Sequence, residues 1–332
     1  MSRQRYGNGM VFLKFGKERK MLKKIVILFT MAVMLVSLAA CGKKQGGVDS
    51  EGDGKTIKIA YLPITHSLAV LEEADELQEK DGIKIELVKY GSWPELLDAL
   101  NSGRVDGASV LIELAMKSKQ EGVGIKAVAL GHKDGNVLIV SNKIKDVSDL
   151  KGKTFAIPHR QSSHNILLND ALAKGNLTIN DITVTELAPT EMPSALASGT
   201  IDGYCVAEPF GAMGVSLGVG KVLYSSEELW ENSLCCGLVL TDDFIKAHPD
   251  KAKSFVECYK AAGAGLGKVN AKKVAKKYLN QKDEVLDISL QWISYDDLDI
   301  TEDTYDVLVE KVKKYGLSGN PPAYGDFVKN DF

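Results

Sequence analysis

The sequence predicts an α/β chain folded as two lobes of similar design, joined by a two-strand hinge, with a ligand cleft between them. Three observations predict this. The stretch Ala99–Gly107 returns as Ala195–Gly203, with six of nine positions identical and Val105 exchanged for Ile201. Upstream, Gly54-Lys55-Thr56, an apolar strand and Pro63 are echoed by Gly152-Lys153-Thr154, Phe155-Ala156-Ile157 and Pro158. Each echo lies just under a hundred residues from its original, far beyond solenoid spacing. Within each copy strands alternate with helices, an order that implies parallel sheets with right-handed crossovers.

In chain order, Lys23-Lys24 precede an apolar run, Ile25 to Ala40, that ends in small residues before Cys41-Gly42. The run is shorter than the roughly twenty residues a spanning helix needs. A basic start, an apolar middle and small residues before a cut describe an export signal over residues 1–40. Leu38-Ala39-Ala40-Cys41 resembles a bacterial lipobox, which implies that Cys41 becomes the acylated first residue of the mature protein. Residues 1–20 fit poorly before such a signal, and Met21-Leu22-Lys23-Lys24 is the expected start of translation. Residues 41–55 are Gly-, Lys- and Asp-rich and too polar to bury a core, so they read as a tether.

The first copy follows. A strand is expected over Ile57–Tyr61, a helix over Leu68–Gln78 and an alternating strand over Lys84–Val88. Ser92-Trp93-Pro94-Glu95 has the form of a capping box with Pro in the first turn, opening a helix that stops at Gly103. Gly107–Leu111 closes the unit. The second copy has a strand at Thr154–Ile157, a helix at Asn165–Lys174, a strand at Thr183–Leu187, a helix from Thr190 to Gly199 and a strand at Gly203–Ala207. The chain is expected to leave lobe 1 near Ser141 and return near Gly237, so lobe 1 is residues 56–141 plus 237–332 and lobe 2 is 142–236. The tail from Phe244 reads as mostly helical and packed on lobe 1.

Charge excludes some functions. Residues 1–40 hold eight Lys/Arg and one acid, so the remainder carries 33 basic and 43 acidic residues. A body this acidic lacks the basic face that nucleic acid or anionic lipid demands. The partner expected is a small solute, and the membrane is met through the lipid alone.

Ligands in such sheets sit beyond the carboxyl ends of the strands. Candidate binding residues therefore lie in those loops: Thr65 and His66 after the first strand, Trp93 at a helix start, His159 after Pro158, Ser163 and His164 in the first turn of a helix, Glu208 before Pro209, and Cys236. His132 occupies a similar strand-end position, and His248 before Pro249 reads as structural. The five cysteines match no zinc ribbon or disulfide scaffold. No short ligand spacing marks a metal centre and no cofactor is expected; were a metal held, His66, His164, Cys235 and Cys236 are the donors on offer. Cys235-Cys236 is either a pair of free thiols or a vicinal disulfide, and Cys205 and Cys258 read as buried packing thiols.

Three segments carry a family resemblance: Gly91-Ser92-Trp93, Ser162-Ser163-His164-Asn165, and Ile201-Asp202-Gly203-Tyr204-Cys205-Val206-Ala207-Glu208-Pro209-Phe210. Together they resemble the nitrate/sulfonate/taurine/bicarbonate class of ABC-importer receptors. The likeness runs from about Ile57 to Gly265 and implies the type II periplasmic-binding-protein fold. It also implies a monomeric, lipid-anchored receptor outside the cytoplasm that hands its solute to a permease and ATPase. In that class the residues matching Trp93 and His164 touch a small anion. The charged position that separates nitrate from bicarbonate binders falls near Cys236, so neither ligand transfers.

The leading reading is a receptor that binds a small anion or related solute without chemistry. The alternatives are a lipoprotein for a metal or metal chelate, and an enzyme on the same fold akin to pyrimidine synthases. No Ser-His-Asp constellation, phosphate loop or HExxH motif is present.

Overall fold

The computed structural model describes residues 56–80 and 83–332; the expected signal, Cys41 and the tether lie outside the described residues. In chain order the strands are β1 (Thr56–Tyr61), β2 (Lys84–Lys89), β3 (Gly107–Leu111), β4 (Ile125–Leu130), β5 (Lys133–Asp134), β6 (Asn136–Ser141), β7 (Thr154–Ile157), β8 (Thr183–Glu186), β9 (Gly203–Ala207), β10 (Gly220–Ser225), β11 (Cys236–Thr241) and β12 (Ile293–Ser294). They form two five-stranded sheets, β2-β1-β3-β11-β4 and β8-β7-β9-β6-β10, and a short β5-β12 ribbon.

The two large sheets have the same plan. β1 pairs in parallel with β2 and β3, as β7 does with β8 and β9. In each sheet one strand runs against its neighbours: β11 between β3 and β4, and β6 between β9 and β10. The sheets are therefore mixed, where strand–helix alternation alone implied parallel ones. The reversed strand in each is the one the chain lays down just after crossing over. β6 belongs to the second sheet, so the first crossing is at residues 131–135, one strand before the expected exit near Ser141. The return falls between β10 and β11, close to the expected Gly237.

The repeated motif has one physical job, done twice. Asp106 Oδ2 accepts from the Lys58 N–H at 2.8 Å, and Asp202 Oδ2 accepts from the Thr154 N–H at 3.0 Å. Each carboxylate thus ties down the first half of a parallel strand 48 residues earlier, β1 at its third residue and β7 at its first. The glycine that follows is fixed by close approach. A Cβ on Gly107 would stand 2.6 Å from the Val239 carbonyl, and one on Gly203 would stand 2.8 Å from the Ile139 carbonyl. Both contacts are with the reversed strand, so only glycine lets it seat.

The helices match their signals with one exception. Gly103 and Gly199 take φ of +69° and +74° and end their helices in the left-handed region. Ser92 has the extended N-cap conformation, but its side chain makes no cap hydrogen bond, so the expected capping box is not formed. The tail packs on the first sheet, with Val328 bridging Ala127 and the Lys329 N–H donating to the Ala127 carbonyl at 2.9 Å. It also reaches the second half.

Candidate functional site

The residues around the two crossings are buried and rich in chemistry. His66 lies in the single turn Thr65–Ser67 beyond β1, His132 just beyond β4, and Cys235-Cys236 at the entry to β11. Because β11 runs antiparallel, its first residues share the sheet end at which β1 and β4 finish. Topology therefore gathers four side chains that lie up to 170 positions apart. Gly131 makes room for them: a Cβ there would stand 2.9 Å from the His66 carbonyl and 3.3 Å from Cys236 Cβ.

One donor atom from each of His66, His132, Cys235 and Cys236 lies within 4.8 Å of the others, and all four residues are fully buried. His66 Nδ1 is 3.6 Å from both sulfurs, while its Nε2 faces the Gly135 carbonyl at 3.1 Å. That contact assigns the proton to Nε2 and leaves Nδ1 as a lone-pair donor. The His132 ring stacks on His66 with centroids 3.5 Å apart, and neither of its ring nitrogens makes a hydrogen bond. The Cys235 and Cys236 sulfurs are 3.9 Å apart and unbonded, so the pair is two thiols rather than a vicinal disulfide.

Electrostatics prepares these groups. Burial, aided by the neighbouring His66, pushes His132 down to about 4, so it is neutral at pH 7. Burial opposes ionisation of Cys235, yet hydrogen bonding from Cys236 and the nearby imidazoles of His66, His164 and His132 outweigh it and hold Cys235 well below the usual thiol value. Cys236 is pushed up by burial and by its bond and proximity to Cys235. The quartet thus offers two sulfurs and two imidazoles. Two nitrogens and two sulfurs form a set that zinc accepts in tetrahedral geometry. Unbonded buried nitrogens on His132 fit such an ion, since burying them unsatisfied is otherwise costly.

Polar groups surround the quartet. Asn136 Oδ1 is 3.8 Å from the Cys235 sulfur. Glu113 is buried with neither carboxylate oxygen hydrogen-bonded in its side-chain environment, and burial next to Cys235 pushes it well up. His164, from the second half, is likewise buried with both ring nitrogens unbonded, and burial takes it down to about 4. Beside it, the Ser163 hydroxyl is buried and unbonded. His164 is not within the gathered quartet; His132 takes the place that the sequence reading gave it. His132 was noted from sequence only for its strand-end position, and Glu113 was not singled out, although it too follows a strand end.

Other expected residues serve different ends. Thr65 donates to the Glu208 carbonyl twice, from its N–H at 2.8 Å and its Oγ1 at 3.0 Å, joining the two halves. The Thr65 carbonyl accepts from Tyr295. The Glu208 side chain turns the other way and accepts from the Ala212 N–H at 2.9 Å. Trp93 is buried and lines a pocket of about 240 Å³ with Pro158, His159 and Glu186, at the edge of the seam. His159 Nδ1 accepts from the Gln161 N–H there and stands 3.8 Å from Glu186. Neither Trp93 nor His159 joins the quartet. His248 stands at the start of the helix Pro249–Gly265 against Phe244, a structural position. Cys205 is buried as expected, whereas Cys258 is half-buried.

Residues 50–280 match the NMT1-like family. The chain belongs to that family. A putative aliphatic sulfonates-binding protein of Bacillus subtilis is 30% identical over 73% of this chain and 73% of its own length. A zinc-bound ligand-binding component of an ABC-type import system from Staphylococcus aureus superposes with a TM-score of 0.80, at 42% identity, covering 83% of this chain and 97% of that one. The bicarbonate transport ATP-binding protein CmpC of Synechocystis sp. is 26% identical over 65% of this chain, which spans 36% of that longer protein. The fold is the two-lobed one of periplasmic sulfonate- and nitrate-binding proteins.

Proposed function

We propose that this chain is the solute receptor of an ABC-type importer and that its cargo is a borderline-soft divalent metal ion of the zinc class. The carrying observation is the quartet His66, His132, Cys235 and Cys236, whose donor atoms lie within 4.8 Å of one another in a fully buried site. The ion is transported cargo, and no reaction is assigned to it. Named relatives that import or bind solutes support the receptor reading, and the S. aureus component supports the metal.

The anion reading fares worse on physical grounds. His132 and His164 are neutral at pH 7, so the imidazoles around the cysteines give an anion no fixed positive charge. At the edge pocket His159 is pushed toward neutrality by burial, and Glu186 adds a negative charge nearby.

The four donors come from the first half and the crossings, while His164 and Ser163 come from the second half. An ion at the quartet draws the unbonded His164 toward it and favours the closed arrangement, which is how occupancy becomes a signal that a permease reads. Anchoring through an acylated Cys41 at the outer face of the cytoplasmic membrane, as a monomer, completes the reading. Native mass spectrometry of the full chain, purified without a metal-affinity tag, tests it. One equivalent of zinc, lost on chelation and regained on addition, is the expected result. Tight nitrate or sulfonate binding with no metal uptake would overturn it.

A further inference from the structure

The tail of the chain makes a further connection between the two halves, distinct from the two crossings and from the Thr65–Glu208 bonds. The helix Glu302–Lys314 presents Lys311 to Asp170, on the helix Ser163–Lys174 of the second half, with Nζ to Oδ2 at 2.7 Å. The Tyr315 hydroxyl donates to the other carboxylate oxygen, Oδ1. Both charged side chains are largely shielded, at 13% exposure for Asp170 and 19% for Lys311. Lys311 also lies 5.0 Å from the Trp230 ring centroid. One turn on, Gln161 Nε2 of the second half donates to the Leu317 carbonyl at 2.6 Å.

Past this grip the tail changes sides. Gln120 Nε2, from the first half, donates to Ser318 Oγ at 2.7 Å and also to the Asn320 carbonyl. Lys126 Nζ donates to the Asp326 carbonyl at 2.8 Å, and Lys329 pairs with Ala127 of β4. Within a few residues the segment passes from a charged grip on one half to backbone and side-chain stitching on the other. A relative rotation of the halves must either break the Asp170 grip or tear the stitching. The grip is the joint that yields, because the stitching adds a backbone bridge at Ala127 and Val328 to the Gln120 and Lys126 bonds, whereas the grip rests on side chains alone.

We propose that Asp170, Lys311 and Tyr315 form a latch that holds the two halves closed whether or not cargo is present. The latch sets how often the site opens and therefore how long an ion stays bound. Bonds from a cation and a phenol to one shielded carboxylate belong to the stronger class of hydrogen bonds. Their loss is expected to shift the open-to-closed ratio by about tenfold or more.

The test uses the full chain in three forms: wild type, Asp170→Asn, and Lys311→Met with Tyr315→Phe. Small-angle scattering of the metal-free proteins reads closure directly and needs no knowledge of the cargo. Both variants should show a larger radius of gyration than wild type, with circular dichroism unchanged. Where zinc binds, its dissociation rate should rise about tenfold in both. Identical scattering profiles in all three folded proteins would overturn the latch, even if zinc binding is confirmed. Expansion of both variants without any zinc binding would support the latch and refute the metal cargo.

Discussion

The sulfurs of Cys235 and Cys236 lie 3.9 Å apart, and each is 3.6 Å from the same nitrogen of His66. Adjacent residues of an extended strand normally point to opposite faces. Here the pair sits where the chain enters β11, and both side chains reach one point. A residue in an adjoining loop thus meets two sulfurs at once, the arrangement on which the proposed metal site rests.

Removing one sulfur should therefore be decisive. Cys236→Ala, or His132→Ala, is expected to weaken zinc binding by more than about a hundredfold, since a four-ligand site loses one of its bonds. His159→Ala should leave affinity unchanged. Competition titration against a chromogenic chelator measures all three.

Glu208 gives a prediction in pH. Burial raises its folded value from the ordinary 4.5 to about 8, against a smaller opposing effect of the Ala212 N–H. An acid raised on folding binds its proton more tightly in the folded state. Its favourable contribution is complete below about 4.5 and is lost as pH rises toward 8, at up to roughly 1.4 kcal/mol per pH unit. Glu208→Gln should flatten the fall of melting temperature across that window. An unaltered pH profile by differential scanning calorimetry would contradict the assignment.

The duplicated glycines should respond alike. Gly107→Ala and Gly203→Ala each place a methyl within 3 Å of a carbonyl on the reversed strand. Each is expected to cost roughly 1–3 kcal/mol, the usual range for overpacking. Equal urea-melting losses in the two variants would confirm the shared role; a neutral result in either would break the equivalence.

The two carboxylates allow a gentler test. Asp106→Ala and Asp202→Ala each remove a carboxylate acceptor from a strand N–H, that of Lys58 and that of Thr154. The expected loss is about 1–2 kcal/mol apiece. Because the two sit in separate sheets, the double variant should lose close to the sum, as chemical denaturation would show.

Much of this architecture was legible in the sequence because the repeat records a local need twice. Asp-Gly after a helix stop is required wherever a carboxylate ties down the parallel strand and a reversed strand crowds the next residue. The reversed strands themselves were not legible. Asn136–Ser141 is a plain apolar run, and nothing in it says which sheet it joins or in which direction. That choice is made by partners far away, Gly203–Ala207 on one side and Gly220–Ser225 on the other. The site followed the same rule. His66 and the adjacent cysteines stood out by position and by chemistry. His132 is a lone histidine, and its membership depends on β4 ending beside β1 and β11. Ser92 shows the converse: its local pattern reads as a capping box, yet no cap hydrogen bond forms.

The most direct test of the central claim is to load the metal-free chain with cobalt(II) and record its absorption spectrum. A quartet of two imidazoles and two thiolates predicts intense sulfur-to-cobalt charge-transfer bands in the near ultraviolet, together with visible bands of tetrahedral strength. Both should vanish in Cys235→Ser/Cys236→Ser. A weak octahedral spectrum that is the same in wild type and variant would contradict the account.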